Sequence, residues 1–259
     1  MTTMFEGIKL PLEIVEYLAD FPEEKHEEEL LHVVYSEIPV PMPEYILSEN
    51  YLNLSRSIHP KLVPLLTYVD HMDIRDIDLI LGRGSGKTTA SAIIMSRSIY
   101  RLMCYRDARA FLGKIPGEPI VCLNVSVSQE QAKDGVFATL KAITDGCQWF
   151  EDKYKAITQK IRFEGQFEVI CGHSKSTTWL GHDIFCGVLD EANFLIDKKD
   201  QSNAEDLWKT IRQSCFTRFP NHYKMVSISS SKDGKDFMSR KTREIREDPA
   251  NLIELSEAA

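Results

Sequence analysis

The segment Leu81-Gly82-Arg83-Gly84-Ser85-Gly86-Lys87-Thr88-Thr89 constrains the fold more than any other stretch of the chain. An apolar run, Ile77 to Leu81 with Asp78 inside it, leads in, and a helical run, Ala90 to Met95, leads out. Strand, glycine-rich turn, Lys-Thr and helix is the order that a phosphate-binding loop requires. Glycine lets successive backbone N–H groups close around one anion, and a helix N-terminus adds partial positive charge. In such a loop Lys87 serves the β- and γ-phosphates, and the Thr88 hydroxyl serves Mg²⁺. The expected cradle is Gly82, Arg83, Gly84, Ser85, Gly86, Lys87, Thr88 and Thr89. The spacing departs from the usual pattern, because Leu81 stands where the first glycine is common and Gly82 follows one place late. The competing reading is a glycine-rich turn that carries Lys-Thr by coincidence.

A second segment favours the phosphate loop. Ile184-Phe185-Cys186-Gly187-Val188-Leu189-Asp190-Glu191 is a mostly apolar run that ends in two acids. A near-continuous apolar run suits a strand buried on both faces of a parallel sheet. Carboxylates at its C-terminal end emerge where α/β proteins bind ligands. Asp190 is expected to hold the Mg²⁺ that Thr88 also serves, and Glu191 to orient and polarise an attacking water. Strands often end in solvated acids, so the pair is informative through its place downstream of Lys87. Two adjacent acids suggest hydrolysis rather than mere nucleotide binding.

The remainder supplies a scaffold. A chain of 259 residues with 43% hydrophobic content can bury a sizeable core. No apolar run approaches the ~18 residues a membrane span needs. The N-terminus, Met-Thr-Thr-Met-Phe-Glu, lacks the basic and apolar regions of a signal peptide. The six cysteines are scattered without a Cys-x-x-Cys pair, which suits buried free thiols in a reducing compartment. Charge is uneven: residues 1–78 hold 5 Lys/Arg and 16 Asp/Glu, whereas residues 198–246 hold 12 Lys/Arg and 6 Asp/Glu. The basic stretch reads equally as a nucleic-acid face or as a solvated helix.

Along the chain, 1–70 reads as an acidic appendage and lead-in, with an exposed helix or arm around Glu23 to Glu29 and a connector at Pro39-Val40-Pro41-Met42-Pro43. Tyr45 to Val69 has roughly helical spacing, and no internal repeat is visible. Residues 71–235 read as the core, and 236–259 as a C-terminal helix or linker. Ile120 to Val125 reads as a strand. Ser128 and Gln131 form a capping box that opens a helix with Ala132, Val136, Phe137, Leu140 and Ile143 on one face. Lys160 to Phe163 and Phe167 to Cys171 read as a hairpin, Asp206 to Phe216 as a helix, and Tyr223 to Ile228 as a strand. Alternating strands and helices predict a mainly parallel sheet with helices on both faces, an α/β fold.

Four features in this order resemble the ATPase domain of the terminase large subunit, the DNA-packaging motor of tailed bacteriophages. They are Arg83-Gly84-Ser85-Gly86-Lys87-Thr88 with its arginine four places before the lysine, the Val125-to-Lys133 segment with its Gln131-Ala132 pair, Val188-Leu189-Asp190-Glu191-Ala192, and Ser229-Ser230-Ser231. The resemblance spans about residues 45–240 and includes the lead-in around Tyr51 to Leu54 and His59 to Leu62. It implies a RecA-like P-loop NTPase of the additional-strand class, with ATP and Mg²⁺ as ligands. Glu191, Lys87 and Arg83 are the implied catalytic residues, Thr88 and Asp190 the metal ligands, and Ser229, Ser230 and Ser231 the coupling segment. It further implies translocation of double-stranded DNA into a procapsid by a homo-oligomeric ring. The implied partners are a portal protein and a small terminase subunit, and the implied setting is the cytoplasm of an infected bacterial host, away from any membrane.

Two positions depart from the family pattern. Leu180 stands where family members carry an arginine that reaches a neighbour's ATP, leaving Lys175, Arg212 and Arg218 as candidate replacements. The upstream adenine-contacting glutamine is not evident, and His59 and Tyr68 suit surface or packing roles better. The chain stops at Ala259, where terminases continue into a nuclease, so nuclease activity is not expected; Asp197, Asp200, Asp233 and Asp236 read as loop acids. Two alternatives stay open: a helicase-like or recombination ATPase, and a nucleotide-dependent assembly module with little hydrolysis.

Overall fold

Apolar runs of the kind seen at Ile120 to Val125 and Ile184 to Leu189 demand neighbours on both faces, and the structure supplies them. It is a computed structural model that describes residues 4–5, 8–9, 25–82, 84–115, 117–157, 160–176, 178–195, 203–230 and 235–247. The strands are β1 (Met4–Phe5), β2 (Ile8–Lys9), β3 (Asp76–Ile80), β4 (Ile120–Ser126), β5 (Tyr154–Ile157), β6 (Lys160–Phe163), β7 (Phe167–His173), β8 (Asp183–Asp190) and β9 (Lys224–Ser229). The helices are α1 (His26–Val34), α2 (Met42–Leu47), α3 (Leu62–Val69), α4 (Lys87–Cys104), α5 (Ala108–Phe111), α6 (Gln129–Ala132), α7 (Ala138–Asp145), α8 (Ala204–Arg218) and α9 (Phe237–Glu247).

β1 and β2 pair with each other, and the other strands form one seven-stranded sheet in the order β3-β9-β8-β4-β7-β6-β5. The first five run parallel, while β6 and β5 complete an antiparallel meander on β7. The sequence-predicted hairpin is the β6–β7 pair, with Phe163 opposite Phe167. The chain crosses from β3 to β4 in one direction along the sheet and from β8 to β9 in the other. Crossovers of one hand then put α4 and α8 on opposite faces. β9 lies between the strand before the glycine loop and the strand that ends in the acids. That insertion is the additional-strand arrangement the resemblance implied.

Every residue of β4, β8 and β9 is buried. α8 closes on β8 at Gly187, where a Cβ would lie 2.7 Å from Ile211 Cγ2 and 2.9 Å from Met225 Sδ. Between Val121–Ile184 and Cys122–Cys186 the register slips, leaving Phe185 as the extra residue. Its ring meets Phe219 edge-on at 5.2 Å.

The acidic N-terminal portion is joined to this core. One hydrophobic cluster runs from Leu30 to Met238 and crosses both boundaries, 70 and 235, expected from sequence. Tyr45 stacks on Tyr100 of α4 at 4.7 Å and bonds to Ser96 Oγ at 2.5 Å. Arg97 covers both rings at 5.3 and 5.2 Å and pairs with Asp70 at 2.9 Å. Behind that pair, Lys224 Nζ donates to the carbonyls of Val69, His71 and Ile74 at 2.6–2.7 Å, which closes the end of α3. Burial pushes the Lys224 ammonium down to about 8, and the three carbonyls offset part of that cost.

Gly187→Ala is expected to lower stability by about 1–3 kcal/mol, because its new methyl overpacks the α8–β8 contact. Urea unfolding measures this, and an unchanged midpoint would show that α8 does not lie against Gly187.

Candidate nucleotide site

Glycine permits the turn between β3 and α4. Gly84 and Gly86 have φ of 76° and 87°, in the left-handed region that side chains avoid. Gly86 is constrained twice, since a Cβ there would lie 2.7 Å from Leu62 Cδ1. Lys87 then opens an 18-residue helix whose first turn holds no acid, so nothing quenches its N-terminal partial charge. The Lys87 side chain is buried, and Nζ donates to Leu81 O at 2.8 Å, Gly82 O at 2.9 Å and Ser230 Oγ at 3.3 Å. Ser85 Oγ ties back to Gly82 O at 2.7 Å. Thr88 and Thr89 are half-buried in the first helical turn. Arg83 lies outside the described residues.

Parallel register brings the acids to the same rim. Ile80 pairs with Ser229 across β3–β9, and Asp190 pairs with Ile228 across β8–β9. The loop, Ser229 and the two acids therefore sit together at the C-terminal ends of three adjacent strands. Asp190 is buried, and burial, reinforced by the neighbouring Glu191 carboxylate, pushes its carboxyl up to about 6. The Lys87 ammonium pulls the other way, which puts the cation within electrostatic reach of Asp190. A buried carboxyl in this state suits a site completed by a cation, and the Thr88 hydroxyl and Asp190 carboxylate are the hard oxygen donors Mg²⁺ prefers. Glu191 adopts φ 51° and ψ 48°, a left-handed conformation that costs of order 1–3 kcal/mol in a non-glycine residue. Its Oε2 accepts a hydrogen bond from Ser229 Oγ at 3.5 Å.

Two site residues were missed by sequence reasoning. The helix after β4 is not regular: a π-helical turn, Lys133–Phe137, separates α6 from α7. Gly135 within it has φ −89° and ψ −115°, and a Cβ there would lie 3.0 Å from Asp190 Oδ2. A glycine inside a helical pattern was the available signal. Ser128 caps this helix as expected, accepting from Gln131 N at 3.2 Å. Asn193, the second, had no signal in a lone sequence. It binds Ser229 Oγ through its backbone N–H at 3.2 Å and Ser230 O through Nδ2 at 2.9 Å.

The remaining candidates separate by place. Arg218 pairs with Asp183 at 2.7 Å, at the start of β8. Arg212 pairs with Asp76 at 2.9 Å, at the start of β3, and covers the Trp208 ring at 5.4 Å. Both therefore sit at the end of the sheet opposite the glycine loop. Lys175 follows β7 in an exposed turn on the loop's own side, with its N–H on His173 Nδ1 at 3.3 Å. Leu180 is exposed. His59 is exposed, with Nδ1 accepting from Lys61 N, and Tyr68 packs against the core. Ser231, Asp197, Asp200 and Asp233 lie outside the described residues, and Asp236 caps α9 through Ser239 N at 2.8 Å.

Known proteins share this architecture. The HK97 bacteriophage large terminase superposes with a TM-score of 0.57 at 15% identity, over 80% of this chain and 41% of that one. A mutant ATPase domain of the Thermus phage P74-26 large terminase superposes with a TM-score of 0.50 at 13% identity, over 76% of this chain and 72% of that one. At such identities the likeness is one of fold, and the chain spans less than half of the HK97 protein. A comparison with curated proteins gives no match. Residues 18–254 match the family described as "Uncharacterized protein MJ0330, N-terminal P-loop domain". With its glycine loop, its buried lysine at the head of α4 and its inserted strand β9, the chain belongs to that family of P-loop domains.

Proposed function

We propose that this domain hydrolyses ATP and uses the energy to drive double-stranded viral DNA into a procapsid, as the motor of a terminase-like large subunit. The observation that carries the first half is the meeting of Lys87, Asp190 and Glu191 at one rim of the sheet. Backbone N–H groups of the glycine loop and the start of α4 receive the phosphates. Lys87 leaves its carbonyl partners and neutralises the β- and γ-oxygens. Mg²⁺, held by Thr88 and Asp190, would supply charge stabilisation to the phosphates. Glu191 orients a water and accepts its proton as the water attacks the γ-phosphorus in line, while the bond from that phosphorus to the β–γ bridging oxygen breaks and ADP leaves with that oxygen. Arg83, four residues before Lys87, adds charge near the γ-phosphate. A second acid beside the metal ligand favours hydrolysis over a binding-only assembly module.

The packaging half draws on the resemblance and on the terminase fold neighbours. The basic segment lends it less support than its charge suggested. Lys209, Arg212, Arg218, Arg240 and Lys241 each pair with a carboxylate of this chain, and Lys224 is held by three carbonyls. At least half of the segment's 12 basic side chains are therefore engaged within the subunit, and DNA affinity is expected to grow with assembly into a ring.

Lys87→Ala is expected to abolish turnover, and wild-type turnover in that variant would remove the phosphate-loop assignment. Glu191→Gln keeps its size but loses the charge that polarises water, so ATP and Mg²⁺ still bind while turnover falls at least ~100-fold. Asp190→Ala instead weakens the Mg²⁺-dependent part of binding. Phosphate release and equilibrium titration separate the two acids, and normal turnover in Glu191→Gln would reverse their assignment.

Assembly has its own test. The isolated domain is expected to be mainly monomeric, with slow turnover and weak salt-sensitive DNA binding. Turnover per subunit should rise with protein concentration as a neighbour's cation reaches the site. Lys175→Ala should remove that rise, because Lys175 sits on the loop's side of the sheet. Arg212→Ala and Arg218→Ala should lower stability by breaking their pairs with Asp76 and Asp183. Turnover independent of concentration in all four proteins would mean a self-sufficient monomer.

A further inference from the structure

Asn193 is nearly enclosed, and its hydrogen bonds run to three residues in two places, the end of β9 and the start of α9. Its backbone N–H reaches Ser229 Oγ at the end of β9, and its side-chain amide donates to Ser230 O at 2.9 Å. Its side-chain oxygen accepts the backbone N–H of Met238, in the first turn of α9, at 2.9 Å. Each partner leads somewhere. Ser229 Oγ also donates to Glu191 Oε2, and Ser230 Oγ accepts from Lys87 Nζ. Met238 is fully buried and anchors α9, and α9 returns to the strand before the glycine loop through Lys241–Asp78 at 2.7 Å. The loop closes on itself: Lys87, Ser230, Asn193, Met238, Lys241, Asp78, and back to the residues that precede Lys87.

From this we propose that Asn193 is a positioning residue that fixes the Glu191 turn and links it to helix α9. The proposal rests on the hydrolytic reading given above. Glu191 sits in a left-handed conformation that its own side chain disfavours, so something outside it must hold the turn. Within the Ala192–Phe194 turn that follows, Phe194 N bonds to Glu191 O at 2.8 Å and Leu195 N to Ala192 O at 3.4 Å, and the cross-links at Asn193 tie the turn to the end of β9 and to α9. When Lys87 moves from Ser230 to a phosphate, the Ser230 segment loses one partner. Asn193, bonded to that segment's carbonyl, carries the change to the first turn of α9. An asparagine suits the post because its amide donates while its oxygen accepts; aspartate and alanine each lose part of this. Lys241 is packed over the Trp208 ring at 4.0 Å, so a shift of α9 also reaches α8.

The test compares Asn193→Ala and Asn193→Asp with the parent, by steady-state turnover and by amide hydrogen exchange in residues 236–247, with and without Mg²⁺ and ATP. In the parent, nucleotide is expected to change exchange in α9. In Asn193→Ala that nucleotide-dependent change disappears and kcat falls at least ~10-fold, while KM stays within about twofold. Asn193→Asp keeps its size, its fold and the acceptor for Met238 N–H. In it α9 stays protected without nucleotide, yet kcat falls similarly, because a carboxylate cannot donate to Ser230 O. A merely structural role would lower protection everywhere and leave kcat per folded molecule unchanged. An active parent whose α9 ignores nucleotide, or either variant with kcat within about twofold of the parent, overturns the proposal alone. A parent that neither binds nor hydrolyses ATP overturns the hydrolytic reading and this one with it.

Discussion

The buried ammonium of Lys87 organises the rest of the molecule. It sits at the start of α4, bonded to two carbonyls of its own loop and to Ser230 just past the end of β9, and near the Asp190 carboxyl. A cation in such a place is stable only where oxygen ligands converge on it. Convergence requires three strands to end at one level, and the parallel registers of β3, β9 and β8 provide that. Burying Asp190 beside Glu191 is unfavourable without positive charge nearby. The site is therefore complete as a charge arrangement once phosphates meet Lys87 and a cation meets the acids.

Rigidity behind the loop makes this placement durable. α4 is buried along nearly its whole length, and its far side is held by Arg97 between two tyrosine rings and Asp70. The described part of the N-terminal portion thus braces the helix that Lys87 opens. At the rim, Glu191 is left-handed and a π turn surrounds Gly135 beside Asp190, while Asn53, Asp152 and Gln166 adopt positive φ elsewhere among the described residues. Gly135 gives Asp190 room on the side that a larger residue would fill.

Much of this was legible in the sequence, for local reasons. The glycine loop and the acid pair each announce themselves within ten residues, since strand burial and turn chemistry are written in consecutive positions. The β6–β7 hairpin, the cap at Ser128 and helix α8 followed in the same way, with bounds differing by a few residues. The position of β9 between β3 and β8 came from resemblance rather than residues, because strand order depends on contacts about 150 positions apart. The fate of the basic segment was hidden for the same reason: Arg212 and Lys241 find their carboxylates on β3, far upstream. Asn193 could not be read at all, because its importance lies in three partners that the chain brings together only on folding.

Equilibrium titration of the unsubstituted domain with ATP, in the presence and absence of Mg²⁺, tests the site most directly. Saturable binding that strengthens markedly with Mg²⁺ is the expected result, since Thr88 and Asp190 then share a cation with the phosphates that Lys87 neutralises. No binding under either condition, or binding indifferent to Mg²⁺, would contradict the assignment of this rim as a metal-assisted phosphate site.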